Sequence, residues 1–294
     1  MPELPEVEIT ARLLDRALAG AVIESALAPG INALKTFDPP LTALEGRRIS
    51  AVRRRGKHLI VETDSGLSVL IHLMSAGRLQ LYAKRAGPRD RTSRLLLRLA
   101  GEEAPDAGGA PAGSASELRL REFGSKQAAW VKVLAADQLE QDPALTKLGP
   151  EAWPDPPVLE QLLAAPRPLH AVLRDQHVIA GIGRSWVDEI LWHALLSPYK
   201  RGADLDAAEA EALREAIIST LGGAIEHYEQ AVSLPIPDKL PMPLLVHRHE
   251  GEPCPRCATT LRAVHFEDYV IAYCPTCQTE GRVLKDRRMS RLLR

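Results

Sequence analysis

Two short motifs near the end of the chain, Cys254-Pro255-Arg256-Cys257 and Cys274-Pro275-Thr276-Cys277, determine the fold of their region. Sixteen residues separate them, and together they hold all four cysteines of the chain. Two such pairs can surround one zinc ion tetrahedrally, and four protein ligands leave no open position, so the metal would be structural. Two disulfides are the alternative, which the lack of an export signal disfavours.

The residues between the two cysteine motifs are long enough for a β-hairpin, with strands expected at 261–266 and 269–273. A basic tail follows, with six cations after Cys277 against Glu280 and Asp286. A second basic stretch, residues 47–57, has six cations and no acid. Each patch is either a solvated surface or a phosphate-binding surface, and the formal net charge of −1 excludes neither.

Composition indicates an ordinary globular protein. The 294 residues are 45% apolar and 26% charged, which suggests about two domains. No apolar run reaches the roughly 18 residues of a membrane-spanning helix. The N-terminus is acidic and proline-rich, unlike a secretory signal, and we therefore expect a cytoplasmic protein with no membrane partner.

Hydrophobic periodicity places the secondary structure. Helical spacing of apolar residues predicts a helix over 5–18, and period-two runs punctuated by Gly and Pro then predict an antiparallel sandwich or barrel. The predicted strands are 21–27, 58–62, 68–73, 79–82, 94–99, 118–121 and 130–134. Residues 101–116 predict a flexible loop.

The second half of the chain has a helical pattern. The proline-dense stretch 149–157 predicts a linker. Helices are expected near 158–165, 168–175, 185–196 and 204–230, and the four prolines of 234–243 predict a loop.

The chain begins Met1-Pro2-Glu3-Leu4-Pro5-Glu6-Val7-Glu8. Removal of Met1 would expose Pro2 as a secondary amine, a nucleophile that forms an iminium ion with a sugar C1′, and Glu3 beside it could transfer the proton. The alternative is a helix start, with prolines and acids near the positive end of the dipole. The residues alone favour the helix start.

The same segment resembles the signature of the formamidopyrimidine-DNA glycosylase and endonuclease VIII family, and three further segments match in order. Residues 53–60, Arg-Arg-Arg-Gly-Lys-His-Leu-Ile, resemble the family strand that carries a catalytic lysine. Residues 175–189 resemble its helix–two-turn–helix motif, and residues 251–254 open its zinc finger. The resemblance spans Met1 to Cys277.

The resemblance implies an α+β multidomain fold, in which an N-terminal helix and antiparallel β-sandwich precede a helical helix–two-turn–helix domain with a C-terminal zinc finger. The expected boundaries are 1–136 for the catalytic sandwich, 137–157 for the linker, 158–247 for the helical domain, 248–278 for the finger and 279–294 for the tail. It also implies one structural Zn2+ and damaged double-stranded DNA as the partner.

The resemblance implies roles for matching residues. Pro2 would be the nucleophile, Glu3 the proton donor and acceptor, Glu6 a support of the site, and Lys57 a phosphate contact that assists strand cleavage. Residues expected to contact or support bound DNA are Met74, Arg121, Phe123, Gly183, Arg184 and Glu189. The expected zinc ligands are Cys254, Cys257, Cys274 and Cys277. Met74, Arg121 and Phe123 would fill the gap left by a flipped nucleotide. Without the resemblance, Phe123 could equally be a core aromatic.

Three positions depart from the family pattern. Met74 comes one residue early, and Ser75 occupies the matching position. Arg184 replaces an asparagine that faces a phosphate, and its fork suits the same contact. Tyr269 replaces an arginine that grips phosphates around the lesion, and the acidic Glu267 and Asp268 beside it would repel phosphate. Arg262, Arg184 and the basic tail are the candidates to compensate.

The expected function is therefore a bifunctional DNA glycosylase and AP lyase of base excision repair, acting on oxidised or ring-opened purines as a nucleoid-associated monomer. A DNA-binding relative with weak or no lyase activity, sensing abasic or unusual lesions, is the second hypothesis. A zinc-ribbon protein that binds RNA or protein is the third.

Overall fold

The computed structural model describes residues 1–30, 32–87, 89–100, 115–123, 127–159 and 166–285. The chain divides into two compact units. The first comprises Met1–Lys147 and His227–Pro241, and the second comprises Leu148–Glu226 and the chain from residue 242 onward. The first unit thus takes in a short segment that follows most of the second unit in sequence.

The first unit combines the predicted leading helix with two four-stranded antiparallel sheets, as expected for the sandwich. Helix α1 spans Leu4–Leu18. One sheet has the order β1-β6-β7-β5 and the other β2-β3-β4-β8. The strands are β1 Ile23–Leu27, β2 Ile49–Arg55, β3 His58–Thr63, β4 Leu67–His72, β5 Gly77–Tyr82, β6 Ser93–Leu99, β7 Glu117–Glu122 and β8 Trp130–Ala135. The core consists of the apolar side chains of both sheets and of α1.

Strand β2 and the position of Lys57 differ from the sequence expectation. Residues 49–55 form a strand rather than only a basic surface, because Ile49 and Val52 are buried and the backbone of residues 53–55 pairs with β3. The lysine expected on a strand lies instead in the turn Gly56-Lys57, since Arg55 pairs with His58 across the hairpin. The turn places Lys57 at one end of the sheet.

The predicted linker 137–157 is partly helical. Helix α2, Ala136–Gln141, and helix α3, Pro143–Thr146, fall within or beside it. Leu139 packs with Ile60, Leu70 and Leu134, and these contacts explain why the stretch up to Lys147 belongs to the first unit, whereas residues 148–157 belong to the second. Residues 101–114 of the predicted loop lie outside the described residues.

The second unit contains helices α4, Leu169–Val172, and α5, Arg184–His193, and most of α6, Ala207–Ala231. Helix α4 is shorter than the predicted helix 168–175: it ends at Val172, and the amide of Asp175 donates to the carbonyl of Val172 in a turn. Residues 160–165 of the first predicted helix, and residues 286–294 of the basic tail, lie outside the described residues.

The predicted hairpin is present, with β9 Arg262–His265 pairing antiparallel to β10 Val270–Tyr273 and the short helix α7 at Pro275–Thr279. Residues 234–243 form the predicted loop. Among the helices in the described part of the chain, none combines the length and the apolar character that crossing a membrane requires.

Candidate functional site

The amino end of α1 holds a buried pair of carboxylates. Glu3 and Glu6 are 3% and 5% exposed. The backbone N–H of Glu3 donates to Oε2 of Glu6 at 2.8 Å, and the Tyr228 hydroxyl donates to Oε1 of Glu6 at 2.7 Å. Both oxygens of Glu6 are therefore occupied, and the chain turns into the helix at a fixed position beside Pro2.

Tyr228 is a site residue that the sequence did not reveal. It lies near the end of α6 and is fully buried. Burial raises the pKa of Tyr228, and the negative charge of Glu6 raises it further. The hydroxyl therefore stays protonated and serves as a hydrogen-bond donor.

The electrostatic surroundings of the N-terminal amine favour its neutral form. Burial lowers the pKa of the Met1 amine below its usual value, and the charges of Arg78 and Lys57 lower it further. The carboxylates of Glu3 and Glu6 oppose this effect. Arg78 is itself fixed, because it donates to the carbonyl oxygens of Asp238 and, at 2.7 Å, Gly77. Arg78 is a second residue that the sequence did not reveal.

Lys57 is nearly buried, at 7% exposed, and two neutral histidines lie close to it in the fold. Burial lowers the pKa of His58 to about 4, and burial together with His58 lowers the pKa of His72 to about 3. Their rings are 4.6 Å apart, and His72 stacks on Trp130. Nδ1 of His72 accepts the backbone N–H of Met74 at 3.0 Å, so the neutral ring also holds the next turn.

Met74 lies in a tight turn that joins β4 of one sheet to β5 of the other. The N–H of Gly77 donates to the carbonyl of Leu73 at 2.8 Å, and a Cβ on Gly77 would lie 2.3 Å from that oxygen. Only glycine fits there. Met74 has a φ of 50°, a left-handed conformation that is uncommon for a side chain of this size.

Strand pairing brings the turn of Met74 to the same end of the sheet as Phe123. Gly77 is opposite Glu122, so the residues before Gly77 and after Glu122 leave the β5–β7 pair together. Phe123 is 40% exposed and is not a core aromatic. The Arg121 guanidinium lies 4.4 Å from the Phe123 ring and donates to the Tyr82 hydroxyl at 2.9 Å.

Glu122, which the sequence did not reveal, anchors the segment that carries Phe123. It is 1% exposed, and its two carboxylate oxygens accept the amides of Ala128 and Ala129, each at 2.9 Å. These two bonds hold the backbone of Ala128 and Ala129 to the end of β7.

The two-turn motif of the second unit leads into α5. Gly183 is the N-cap and Arg184 the first residue of the helix. Gln176, not singled out in the sequence, holds the turn: its Oε1 accepts the amide of Gly181 at 3.0 Å, and its Nε2 donates to the carbonyl of Ile182 at 2.8 Å. Arg184 itself donates to Asp268 at 2.9 Å.

Glu189, expected to hold the two-turn loop, contacts a different segment. Its buried carboxylate accepts the amides of Leu245, Val246 and His247, at 3.0, 2.9 and 2.8 Å, just before the cysteine module. Burial raises the pKa of Glu189, and the three amides act in the opposite direction. Glu189 therefore positions the chain that enters the finger.

Its neighbour Asp188 ties α5 to the hairpin. Asp188 is fully buried and accepts the amide of Ala272 at 2.9 Å. It also contacts His247 at 2.7 Å and His170 at 3.2 Å. Adjacent acids on α5 thus fix two different parts of the finger region.

The sulfur atoms of Cys254, Cys257, Cys274 and Cys277 all lie within 4.8 Å of one another. Bonds of about 2.3 Å to a tetrahedral zinc require sulfur separations of about 3.8 Å, and the observed pairs at 3.4 and 4.0 Å fit this geometry. Trp192 Nε1 donates to the sulfur of Cys254 at 3.3 Å. These cysteines form the site of one structural zinc ion, which closes the hairpin and supplies no reaction chemistry.

Family models match three parts of the chain. The formamidopyrimidine-DNA glycosylase N-terminal domain matches residues 1–110, the formamidopyrimidine-DNA glycosylase H2TH domain matches residues 148–235, and a zinc finger found in FPG and IleRS matches residues 251–279. The formamidopyrimidine-DNA glycosylase of Herpetosiphon aurantiacus is 30% identical over 295 residues, covering 95% of this chain and 100% of the relative.

Two solved structures share the fold. MutM in complex with DNA containing carbocyclic 8-oxo-G has a TM-score of 0.79 and 26% identity, over 95% of this chain and 100% of that one. The wild-type Lactococcus lactis Fpg in complex with DNA containing N7-benzyl-Fapy-dG gives the same TM-score, identity and coverage. Sheet architecture, two-turn motif and cysteine cluster together define a DNA-repair glycosylase with a zinc finger. The chain belongs to the formamidopyrimidine-DNA glycosylase family.

Proposed function

We propose that this enzyme removes oxidised or ring-opened purines from duplex DNA and then cleaves the strand at the abasic site, with Pro2 as the nucleophile. The observation that carries the proposal is the hydrogen-bond chain from Tyr228 through Glu6 to the backbone of Glu3, beside Pro2. The two structural relatives bound to 8-oxo-G and Fapy-dG DNA support this substrate class.

The nucleophile forms when an aminopeptidase removes Met1. A free α-amino group ordinarily titrates near about 8. The burial and positive charge that lower the pKa of the Met1 amine would act on the Pro2 amine in the same way, and would raise its neutral fraction near pH 7. The amine then needs no separate base to become reactive.

Base removal begins when the Pro2 nitrogen attacks C1′ of the flipped nucleotide. The bond between C1′ and the base breaks, and the base leaves with the bonding electrons and takes up a proton. The nitrogen loses its own proton, the C1′–O4′ bond opens with protonation of O4′, and an iminium ion joins Pro2 to the sugar. Glu3, buried next to the nucleophile, is the proton donor and acceptor.

Strand cleavage follows from the iminium ion. Loss of a C2′ proton to a carboxylate allows the 3′ phosphate to leave with the electron pair of its C–O bond. Lys57 contacts the phosphate and stabilises its negative charge. Water then hydrolyses the iminium and restores the amine. Glu6 keeps Glu3 in place and does not transfer a proton.

Residues at one end of the first unit would hold the distorted DNA. The base must leave the duplex before it can react, and side chains must fill the gap. Met74 and Phe123 follow strands that end together, and Phe123 is exposed with Arg121 against its ring. These three residues are therefore proposed as the wedge.

In the second unit, Gly183 and Arg184 begin α5, where the helix dipole and the guanidinium favour a phosphate. Glu189 supports the finger from α5. We further propose that the enzyme acts as a monomer on the nucleoid, because all proposed catalytic and DNA-contacting residues belong to one chain.

Borohydride trapping on duplexes with 8-oxoguanine or an abasic site tests the proposal, after intact-mass measurement establishes loss of Met1. Wild type should form a covalent adduct with each duplex, and Pro2→Gly should form none. Glu3→Gln should bind the lesion duplex but lose base excision. Undiminished excision by Glu3→Gln would remove Glu3 from the mechanism. Tight binding without an adduct on the abasic duplex would favour a lesion sensor without lyase activity.

A further inference from the structure

The tip of the zinc hairpin carries a cluster of rings and arginines, of which the proposed function uses only Arg184. We call it the Tyr269 cluster. Its members are His170, Arg174, Arg184, Phe266 and Tyr269. The Phe266 and Tyr269 rings stack at 4.5 Å, and His170 lies nearly parallel to Tyr269 at 5.9 Å. The Tyr269 ring is thus held between the hairpin and α4.

Two guanidinium groups converge on the Tyr269 ring. The Arg174 guanidinium carbon is 4.4 Å from the ring centroid, and that of Arg184 is 5.7 Å away. Attraction to an aromatic face favours each contact, but the two like charges repel one another. An anion placed between them would remove this repulsion.

Arg174 forms no ion pair with a carboxylate among the described residues, although the charges of Asp188 and Asp268 act on it from beyond ion-pair distance. Its Nε donates to the carbonyl of His170 at 3.2 Å, and among the described residues its two terminal nitrogens form no hydrogen bond or ion pair. Burial lowers the pKa of Arg174, yet a guanidinium stays charged in proteins. A half-buried cation whose two terminal nitrogens form no bond within the described residues fits a doubly accepting anion such as a phosphate.

Arg184 has an acidic partner that a stronger anion can displace. Its ion pair with Asp268 is open to solvent, with side chains 50% and 69% exposed. Pairs as exposed as this contribute little to stability. Nη2 of Arg184 donates to the Asp268 carboxylate at 2.9 Å and Nη1 donates to the Asp268 carbonyl oxygen, and a phosphate oxygen would replace the carboxylate on Nη2.

We propose that Arg174 and Arg184, held over Tyr269, form a binding site for one phosphodiester of the DNA backbone. This inference rests on the proposed function, because DNA supplies the phosphate. The ring of Tyr269 then orients the guanidinium groups of Arg174 and Arg184. Both cations that would bind the phosphate belong to the helical part of the second unit and not to the hairpin. When DNA is absent, the Asp268 carboxylate pairs with Arg184 in place of the phosphate.

Binding of a duplex with a tetrahydrofuran abasic analogue, measured by fluorescence anisotropy over a salt series, tests the site. Arg174→Met should bind about tenfold more weakly, and the slope of log Kd against log salt should fall by about 0.9, the loss of one phosphate contact. Arg201→Met is the matched control, since Arg201 pairs with Asp204 in the same unit. It should match wild type.

Two further variants separate the phosphate site from a loss of folding. Asp268→Asn should bind more tightly than wild type, which a misfolded variant would not do. Tyr269→Leu should weaken binding while Tyr269→Phe, which keeps the ring, should not. Equal affinity and slope for Arg174→Met and Arg201→Met would overturn the phosphate site and leave the proposed function intact. Absence of wild-type binding would overturn both.

Discussion

The Tyr228 hydroxyl donates a hydrogen bond of 2.7 Å to Oε1 of Glu6, although the two residues are 222 positions apart in sequence. The other oxygen of Glu6 holds the backbone of Glu3. The segment His227–Pro241 therefore completes the proposed catalytic end of the first unit.

Tyr228→Phe should slow base excision about tenfold, because the loss of a hydrogen bond to a buried carboxylate costs roughly 1.5–3 kcal/mol and Glu6 is less firmly positioned. Affinity for the lesion duplex should stay unchanged. Single-turnover rates and equilibrium binding measure the two effects separately. Tyr199→Phe, whose hydroxyl bonds to the carbonyl of Lys285, is the control. Equal rates for both variants would exclude a positioning role for Tyr228.

The pH dependence of adduct formation should report the Pro2 amine. The neutral form of the amine is the one that reacts. Burial lowers the pKa of the amine at this end of the chain, and the positive charges of Arg78 and Lys57 lower it further. The acid limb of the rate should thus lie below the usual value of about 8. Removing a positive charge raises the pKa, so Arg78→Met should move that limb to higher pH. Arg85→Met, which removes an exposed cation paired with Glu24, should leave it in place.

Phe123→Ala should weaken binding to a lesion duplex about tenfold, since stacking of one aromatic on a base contributes roughly 1–3 kcal/mol. The melting temperature should change little, because Phe123 is exposed. Phe37→Ala is the matched control, as Phe37 is an exposed phenylalanine of the same unit. A similar loss of affinity in both variants would argue against a specific wedge.

Zinc should be required for folding of the finger and not for folding of the first unit. Zinc analysis should give one ion per chain, and Cys254→Ser should lose the ion and DNA binding, because a structural zinc contributes about 10 kcal/mol to folding its module. Thr276→Ala, between two ligands, should retain both. Normal DNA binding by zinc-free Cys254→Ser would contradict a structural role.

Local patterns in the sequence predicted most elements. Period-two runs located seven strands, helical spacing located α1, and cysteine spacing located the hairpin and its metal ligands. Strand β2 was missed because a register irregularity sets the buried Ile49 and Val52 three residues apart and three consecutive arginines follow, so the segment has no period-two pattern. The helices in the predicted linker were missed because Leu139 is buried only by residues of the sheet.

The candidate site was predictable only where a motif carried it. Pro2, Glu3, Glu6 and Lys57 came from the resemblance of short segments. Gln176, Asp188 and Glu122 hold their segments by accepting or donating hydrogen bonds to the backbone, and an acid or amide in isolation does not reveal such a partner. Arg174 was missed because a single arginine in a helical motif resembles a solvated side chain.

The sequence by itself determined the four zinc ligands, the amphipathic leading helix and the location of seven strands, because each depends on spacing within a short segment. Tertiary structure alone decided that Tyr228 meets Glu6, that Arg174 meets Tyr269, and that Phe123 leaves the sheet beside the turn of Met74. These pairs depend on which distant surfaces pack together, and packing is a property of the whole core, not of any local pattern.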